Sequence, residues 1–203
     1  VSAAIETLGP AEWSAENERR LERAAQTLLT LINARAAGGT DNFDGDTDTP
    51  LALAELARRF TLSAFERDLI LLAVVHARSD AFAAAVKSVD FALAAALLGE
   101  PARIALSPSA ALRRWRLIEL GAGVSLDRAP ISLDERVQFY LEGHSFPDPR
   151  IATFTRPLAP QPARHRELAA RLAQRLHAID APGACPVIEL TGATEAEHHG
   201  LFA

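Results

Sequence analysis

The segment Ser63-Ala64-Phe65-Glu66-Arg67-Asp68-Leu69-Ile70-Leu71-Leu72-Ala73-Val74-Val75 decides how the chain folds. Its first four residues spell a capping box, in which the Ser63 and Glu66 side chains each satisfy a free backbone amide at a helix start. The helix that this box opens is apolar nearly all round, through Phe65, Leu69, Ile70, Leu71, Leu72, Val74 and Val75. A helix without a polar face belongs at the centre of a bundle, wrapped by its neighbours. The run from Leu69 to Val75 is also the longest strongly apolar stretch, far short of the roughly 20 residues a membrane span requires. Composition agrees with a bundle: 49% of the 203 residues are hydrophobic, about a fifth are alanine, and only 12 are aromatic. Such a chain favours closely packed helices over aromatic-rich sheets.

Working back from Ser63, Thr49-Pro50 supplies a capping hydroxyl and a proline at the first helical position. Leu51, Leu53, Leu56, Ala57 and Phe60 give that helix its buried side. Before it, Thr40 to Thr49 carries Asp41, Asp44, Asp46 and Asp48 around a single Phe43. So polar a stretch is expected to be an exposed, mobile loop. With Asp44 first, Asp46, Asp48 and Glu55 fall where a calcium loop places ligands, but Thr49 replaces the glycine at its sharp turn, so a solvated linker is the stronger reading. Further back, Leu21, Ala25, Leu28 and Ile32 recur at helical spacing from Trp13 onward, and Gly38-Gly39 ends that long amphipathic helix.

Working forward, a short helix is expected over Asp80 to Lys87, and Ser88 can cap another through Phe91, Leu93, Ala94, Leu97 and Leu98 to Gly99. Ser107-Pro108 opens a further helix, with Leu112 and Trp115 facing inward. Leu117 to Leu120, the turn Gly121-Ala122-Gly123 and a second run from Leu126 to Leu133 read as two short antiparallel strands. Ser132 to Glu135 spells a second capping box for a helix through Val137, Phe139, Tyr140 and Leu141 to Gly143. Three helices and then a hairpin is the element order of a winged helix-turn-helix. From His144 to Pro162 five prolines predict an extended connector. A helix over Ala163 to about Ile179 and a buried strand from Pro186 into Gly192 complete the chain, with no internal repeat. The fold class expected is mainly α, a helical bundle with a winged helix-turn-helix and a short β-hairpin wing, plus the start of an α/β module. Its divisions fall at 1–49, 50–145, 146–162 and 163–203.

The words Leu56-Ala57-Arg58-Arg59-Phe60-Thr61-Leu62-Ser63 through Leu72, Ala105-Leu106-Ser107-Pro108, Leu112-Arg113-Arg114-Trp115-Arg116-Leu117 and Leu133-Asp134-Glu135-Arg136-Val137 occur in this order. Together they resemble the winged-helix region of a group of bacterial AAA-family ATPases, over roughly Leu51 to Arg150. The resemblance implies a cytoplasmic protein whose ATP and Mg are bound by further modules, which also assemble the oligomer. It implies that Ala163 to Ala203 opens a nucleotide-binding module. At the place of the P-loop the sequence reads Gly192-Ala193-Thr194-Glu195-Ala196-Glu197-His198-His199, without the second glycine, the lysine and the following Ser or Thr. Without that lysine the β and γ phosphates lose their cation, and two glutamates add like charge. A degenerate first module is therefore expected, with Gly192, Thr194, His198 and His199 in its loop position and the working ATPase further along. Val1 and the absence of methionine are in keeping with a piece of a longer chain.

Charge weighs against nucleic acid. There are 21 Lys plus Arg against 26 Asp plus Glu, a net charge of −5. Ser88 to Glu142 holds six arginines against seven carboxylates, and Lys87 is the only lysine in the chain. Duplex binding draws its affinity from several phosphate contacts, so DNA is the disfavoured alternative to a protein partner or to ATPase modules of the same chain. The candidate interaction surface is Arg113, Arg114 and Arg116. A lone Cys185 excludes an intrachain disulfide and a cysteine zinc site. Glu195, His198 and His199 offer too few ligands for a closed metal site. No nucleophile or paired-carboxylate motif is present, so this stretch of chain is expected to be non-catalytic and to bind no cofactor of its own.

Overall fold

The structure is a computed structural model that describes residues 8–45, 49–99, 103–122, 125–144, 146 and 166–177. The chain divides into two units, Val1–Phe146 and Pro147–Ala203. The first is mainly helical with one antiparallel hairpin among its described residues. Its elements are α1 (Pro10–Ala36), α2 (Leu51–Phe60), α3 (Ala64–Arg78), α4 (Asp80–Ala85), α5 (Phe91–Leu98), α6 (Ala111–Arg114), β1 (Ile118–Leu120), β2 (Ile131–Leu133) and α7 (Glu135–Leu141). In the second unit the described residues form α8 (Arg166–His177), inside the span expected from sequence. The proline-rich connector, Cys185, the strand from Pro186, and Gly192, Thr194, Glu195, His198 and His199 lie outside the described residues. No helix among the described residues is long and apolar enough to cross a membrane.

The central helix is α3. Ser63 Oγ accepts from the Glu66 amide at 3.3 Å, and the Glu66 carboxylate accepts from the Ser63 amide at 2.9 Å, closing the capping box. Every residue from Leu69 to Val75 is buried, and α1, α2, α4, α5 and β2 all pack on this helix. Each large side chain so buried contributes roughly 1.5–3 kcal/mol. Leu21, Ala24 and Leu28 of α1 join the same core. The first helix is thus part of the bundle, within the unit Val1–Phe146.

One buried polar side chain ties this bundle together. Asn17 of α1 is fully buried; its Oδ1 accepts from the Ala52 amide at 2.9 Å and its Nδ2 donates to the Leu141 carbonyl at 2.8 Å. One residue therefore satisfies a free amide in the first turn of α2 and a free carbonyl at the end of α7, groups that helix geometry leaves without intrahelical partners. Because a buried polar group left unpaired is costly, this clasp holds three elements in register.

Several local expectations are corrected. Thr49 does not cap α2: its hydroxyl donates to the Gly45 carbonyl at 2.6 Å, and Asn17 serves the helix start instead. The loop before it is pinned rather than free over its described residues. The Phe43 amide donates to the Leu97 carbonyl at 2.8 Å, the Phe43 ring packs on the core, and Arg35 holds the Asp41 carbonyl and Asn42 side chain. Asp90, not Ser88, caps α5, accepting from the Leu93 amide at 2.7 Å. Ser88 stands too far back because the chain at Val89 is tied to the hairpin, its carbonyl accepting from the Ile131 amide at 2.8 Å. Asp134, not Ser132, caps α7, since Ser132 is paired with Glu119 in the ladder. The hairpin pairs Ile118 with Leu133 and Leu120 with Ile131, but Leu126–Arg128 is a 3-10 turn, not strand. Of the glycine-bearing turn expected between the strands, Gly123 lies outside the described residues.

Candidate functional site

The expected arginine surface lies on α6 and its exit. Ser107 prepares α6: its Oγ accepts from the Ala110 amide at 3.1 Å. The helix has a single turn before it closes on itself. The Arg116 amide donates to the Arg113 carbonyl at 3.1 Å and the Leu117 amide donates to the Leu112 carbonyl at 2.8 Å, with Arg116 at φ +52°. This is a Schellman closure, the helix end that usually takes glycine at the left-handed position. Leu112 and Leu117 supply its apolar contact, and both are buried.

That closure corrects the reading of Trp115 as an inward residue. Trp115 lies one helical turn after Leu112 and would share its face in a continuing helix. Here Leu117 swings back to fill the core position, and Trp115 is left 51% exposed. The three arginines separate accordingly. Arg113 is half-buried and its Nη1 donates to the Leu106 carbonyl at 3.1 Å, so it secures the approach to α6 and offers little to a partner. Arg114 is exposed, its guanidinium 5.2 Å from the Trp115 ring centroid, a cation–π distance. Arg116 is exposed, and neither Arg114 nor Arg116 is in an ion pair among the described residues.

A second helix end meets this one. The indole packs against Phe60, the last residue of α2, with ring centroids 5.5 Å apart. Past Phe60, α2 also ends in a Schellman closure: the Leu62 amide donates to the Ala57 carbonyl at 2.9 Å, with Thr61 at φ +53°. Thr61 and Arg116 are the two non-glycine residues at positive φ among the described residues, and they follow the two stacked aromatics. Placing a side chain in this left-handed region costs on the order of 1–2 kcal/mol. The last turn of α2 carries Arg58 and Arg59, both bonded to Glu55. Those bonds hold the Glu55 carboxyl below the usual glutamate range, the Arg58 hydrogen bond most of all, against the opposing effect of its partial burial. Tyr140 of α7 lies close enough to feel Arg59 and Glu55, and burial raises its phenol above the ordinary value.

This arrangement brings together an aromatic pair, a guanidinium over one of its rings and a second exposed guanidinium. Two shallow grooves lie elsewhere. One of about 440 Å³ runs between Leu21, Ala25, Val75 and Arg78, and one of about 320 Å³ lies between Ser63, Ile104 and Ser109. Neither gathers groups that could hold a metal, and no such cluster occurs among the described residues. Of the calcium pattern, Asp46 and Asp48 lie outside the described residues and Glu55 serves the α2 arginines. Sequence reasoning found Arg114 and Arg116 but missed Trp115 as a surface group, while Phe60 packs on the core as expected and meets the indole there. No protein-family model, curated protein or solved structure matches the chain.

Proposed function

We propose that this chain is a non-catalytic interaction region, the winged-helix portion of a cytoplasmic AAA-type ATPase, which docks a protein partner through the Arg114–Trp115–Arg116 turn. The observation that carries the docking reading is Trp115. It is a large aromatic that the core does not use, held half-exposed between two arginines in a strained turn. Aromatic and arginine side chains are the types most enriched among residues that dominate protein interfaces. The ATPase part of the reading is supported by the order of the sequence words and by a hairpin that follows α6 and precedes α7.

Two measurements test the two parts separately. A photo-reactive benzoylphenylalanine placed at 115 in the 203-residue chain is expected to cross-link a specific protein in cells of the source. Excess unlabelled chain should compete the product away, and the R114E/R116E variant should not compete. Cross-linking to nucleic acid, or competition by that variant equal to wild type, defeats the docking reading. The reading frame around this stretch is expected to encode Gly-x-x-x-x-Gly-Lys followed by Ser or Thr downstream of residue 203. A frame without such a loop defeats the ATPase assignment and leaves the docking reading standing.

A further inference from the structure

We propose that the partner segment seated on this turn is acidic: a short peptide carrying one aromatic or branched aliphatic side chain flanked by carboxylates. The proposal rests on the docking reading above and names the chemistry of what docks. Backbone strain points there first. At the left-handed position of a Schellman closure glycine is the residue the backbone favours, yet position 116 is arginine at φ +52°. Its side chain is exposed and makes no ion pair among the described residues. Residues held in such conformations cluster where a site is built. The second strained residue, Thr61, follows the ring that packs on Trp115, so both exceptions converge on one spot.

The shape of the charge points the same way. Phe60 covers part of the indole and the Arg114 guanidinium stands over its ring. An incoming apolar side chain can therefore stack on the exposed part of the indole while carboxylates on either side reach Arg114 and Arg116. Arginine presents a planar fork suited to carboxylate, and the cation–π contact keeps the Arg114 guanidinium beside the indole. The chain as a whole carries −5, and the two guanidinia place positive charge on either side of the indole. That contrast favours a short acidic segment over a nucleic acid. A duplex needs many phosphate contacts across a wide positive field, whereas a peptide needs two carboxylates and one anchor.

The test uses the 203-residue chain and a fluorescein-labelled synthetic peptide of Asp and Glu around one central Phe, followed by polarisation at about 0.15 M salt. Saturable binding is expected, weakened about tenfold or more by R114E/R116E and by W115A, and by replacing the peptide Phe with Ser. Arg103→Glu, a change at another exposed arginine already paired with Asp127, is expected to leave affinity unchanged. The decisive variant is Arg116→Gly. It should weaken binding several-fold while Tm holds or rises by about 2 °C, since glycine suits the backbone better. A loss of affinity that tracks a falling Tm would mark Arg116 as structural and overturn the proposal. So would absence of peptide binding, equal loss in R103E, or tighter binding of a duplex DNA of equal charge. If the peptide fails while the cross-link at 115 to a protein persists, the docking reading survives and the acidic partner does not.

Discussion

Two sites in the first unit hold a polar or charged residue where sequence alone would place something else, and they differ in what the bundle gets back. Asn17 is fully buried and both ends of its amide are used, one on Ala52 and one on Leu141. Arg116 is exposed, sits in a backbone conformation that opposes it, and has no ion-pair partner among the described residues. The first is a polar group in the service of the fold. The second is a polar group the fold merely carries. The contrast separates structure from function more cleanly than residue type does, because it asks which backbone groups would lose a partner if the side chain were removed.

The strongest way to break the comparison is to remove Asn17. Asn17→Leu is expected to lower stability by about 2–4 kcal/mol, since a buried amide and a buried carbonyl are each left unpaired. Urea denaturation should show a shifted midpoint with an unchanged slope. A loss below about 1 kcal/mol would mean that the clasp is not needed. Next in size is Arg113, which the sequence groups with its neighbours and the structure does not. Arg113→Ala is expected to cost about 1–2 kcal/mol by freeing the Leu106 carbonyl, a charge-assisted bond, while leaving peptide affinity nearly unchanged. Arg116→Gly should move the other way, stabilising by up to about 1 kcal/mol. Thermal melts therefore rank Arg113→Ala and Arg116→Gly in opposite order to their effect on binding, and a common order would erase the distinction.

What could be read from sequence was what is decided locally. The Ser63–Glu66 box and the apolar run to Val75 identified the central helix, because caps and periodicity act over a turn or two. Asn17 gave no signal: its partners lie 35 and 124 residues away, and in the sequence it is one more polar residue on an amphipathic helix. Trp115 was misplaced for a different reason. Spacing from Leu112 fixes a face only if the helix continues, and a helix that stops on arginine lacks the glycine that would announce the stop. Ser88 and Ser132 look like caps until the ladder and the Val89–Ile131 hydrogen bond claim their stretches of backbone. The candidate turn was thus half legible. Its charges were visible, but the burial that turns one arginine inward and leaves the tryptophan out depends on tertiary closure.

The smallest effect gives the finest test of the same contrast, because it compares arginines that have partners with arginines that do not. Arg58 and Arg59 hydrogen-bond Glu55 and hold its carboxyl below the ordinary glutamate value. A carboxyl whose pKa is lower in the folded state adds stability that is fully present above the unfolded value and is lost as pH falls through the folded one. Glu55→Gln is therefore expected to reduce stability at neutral pH by only about 0.3–0.5 kcal/mol, the range for exposed pairs one helical turn apart. The difference from wild type should shrink as pH falls below the ordinary glutamate value and through the lowered folded one. Arg114 and Arg116 have no such carboxylate among the described residues, so R114Q/R116Q should leave the pH dependence of stability unchanged. Should that double variant flatten the acid limb as Glu55→Gln does, the two guanidinia are already engaged within the unit and are not available to the carboxylates of a partner.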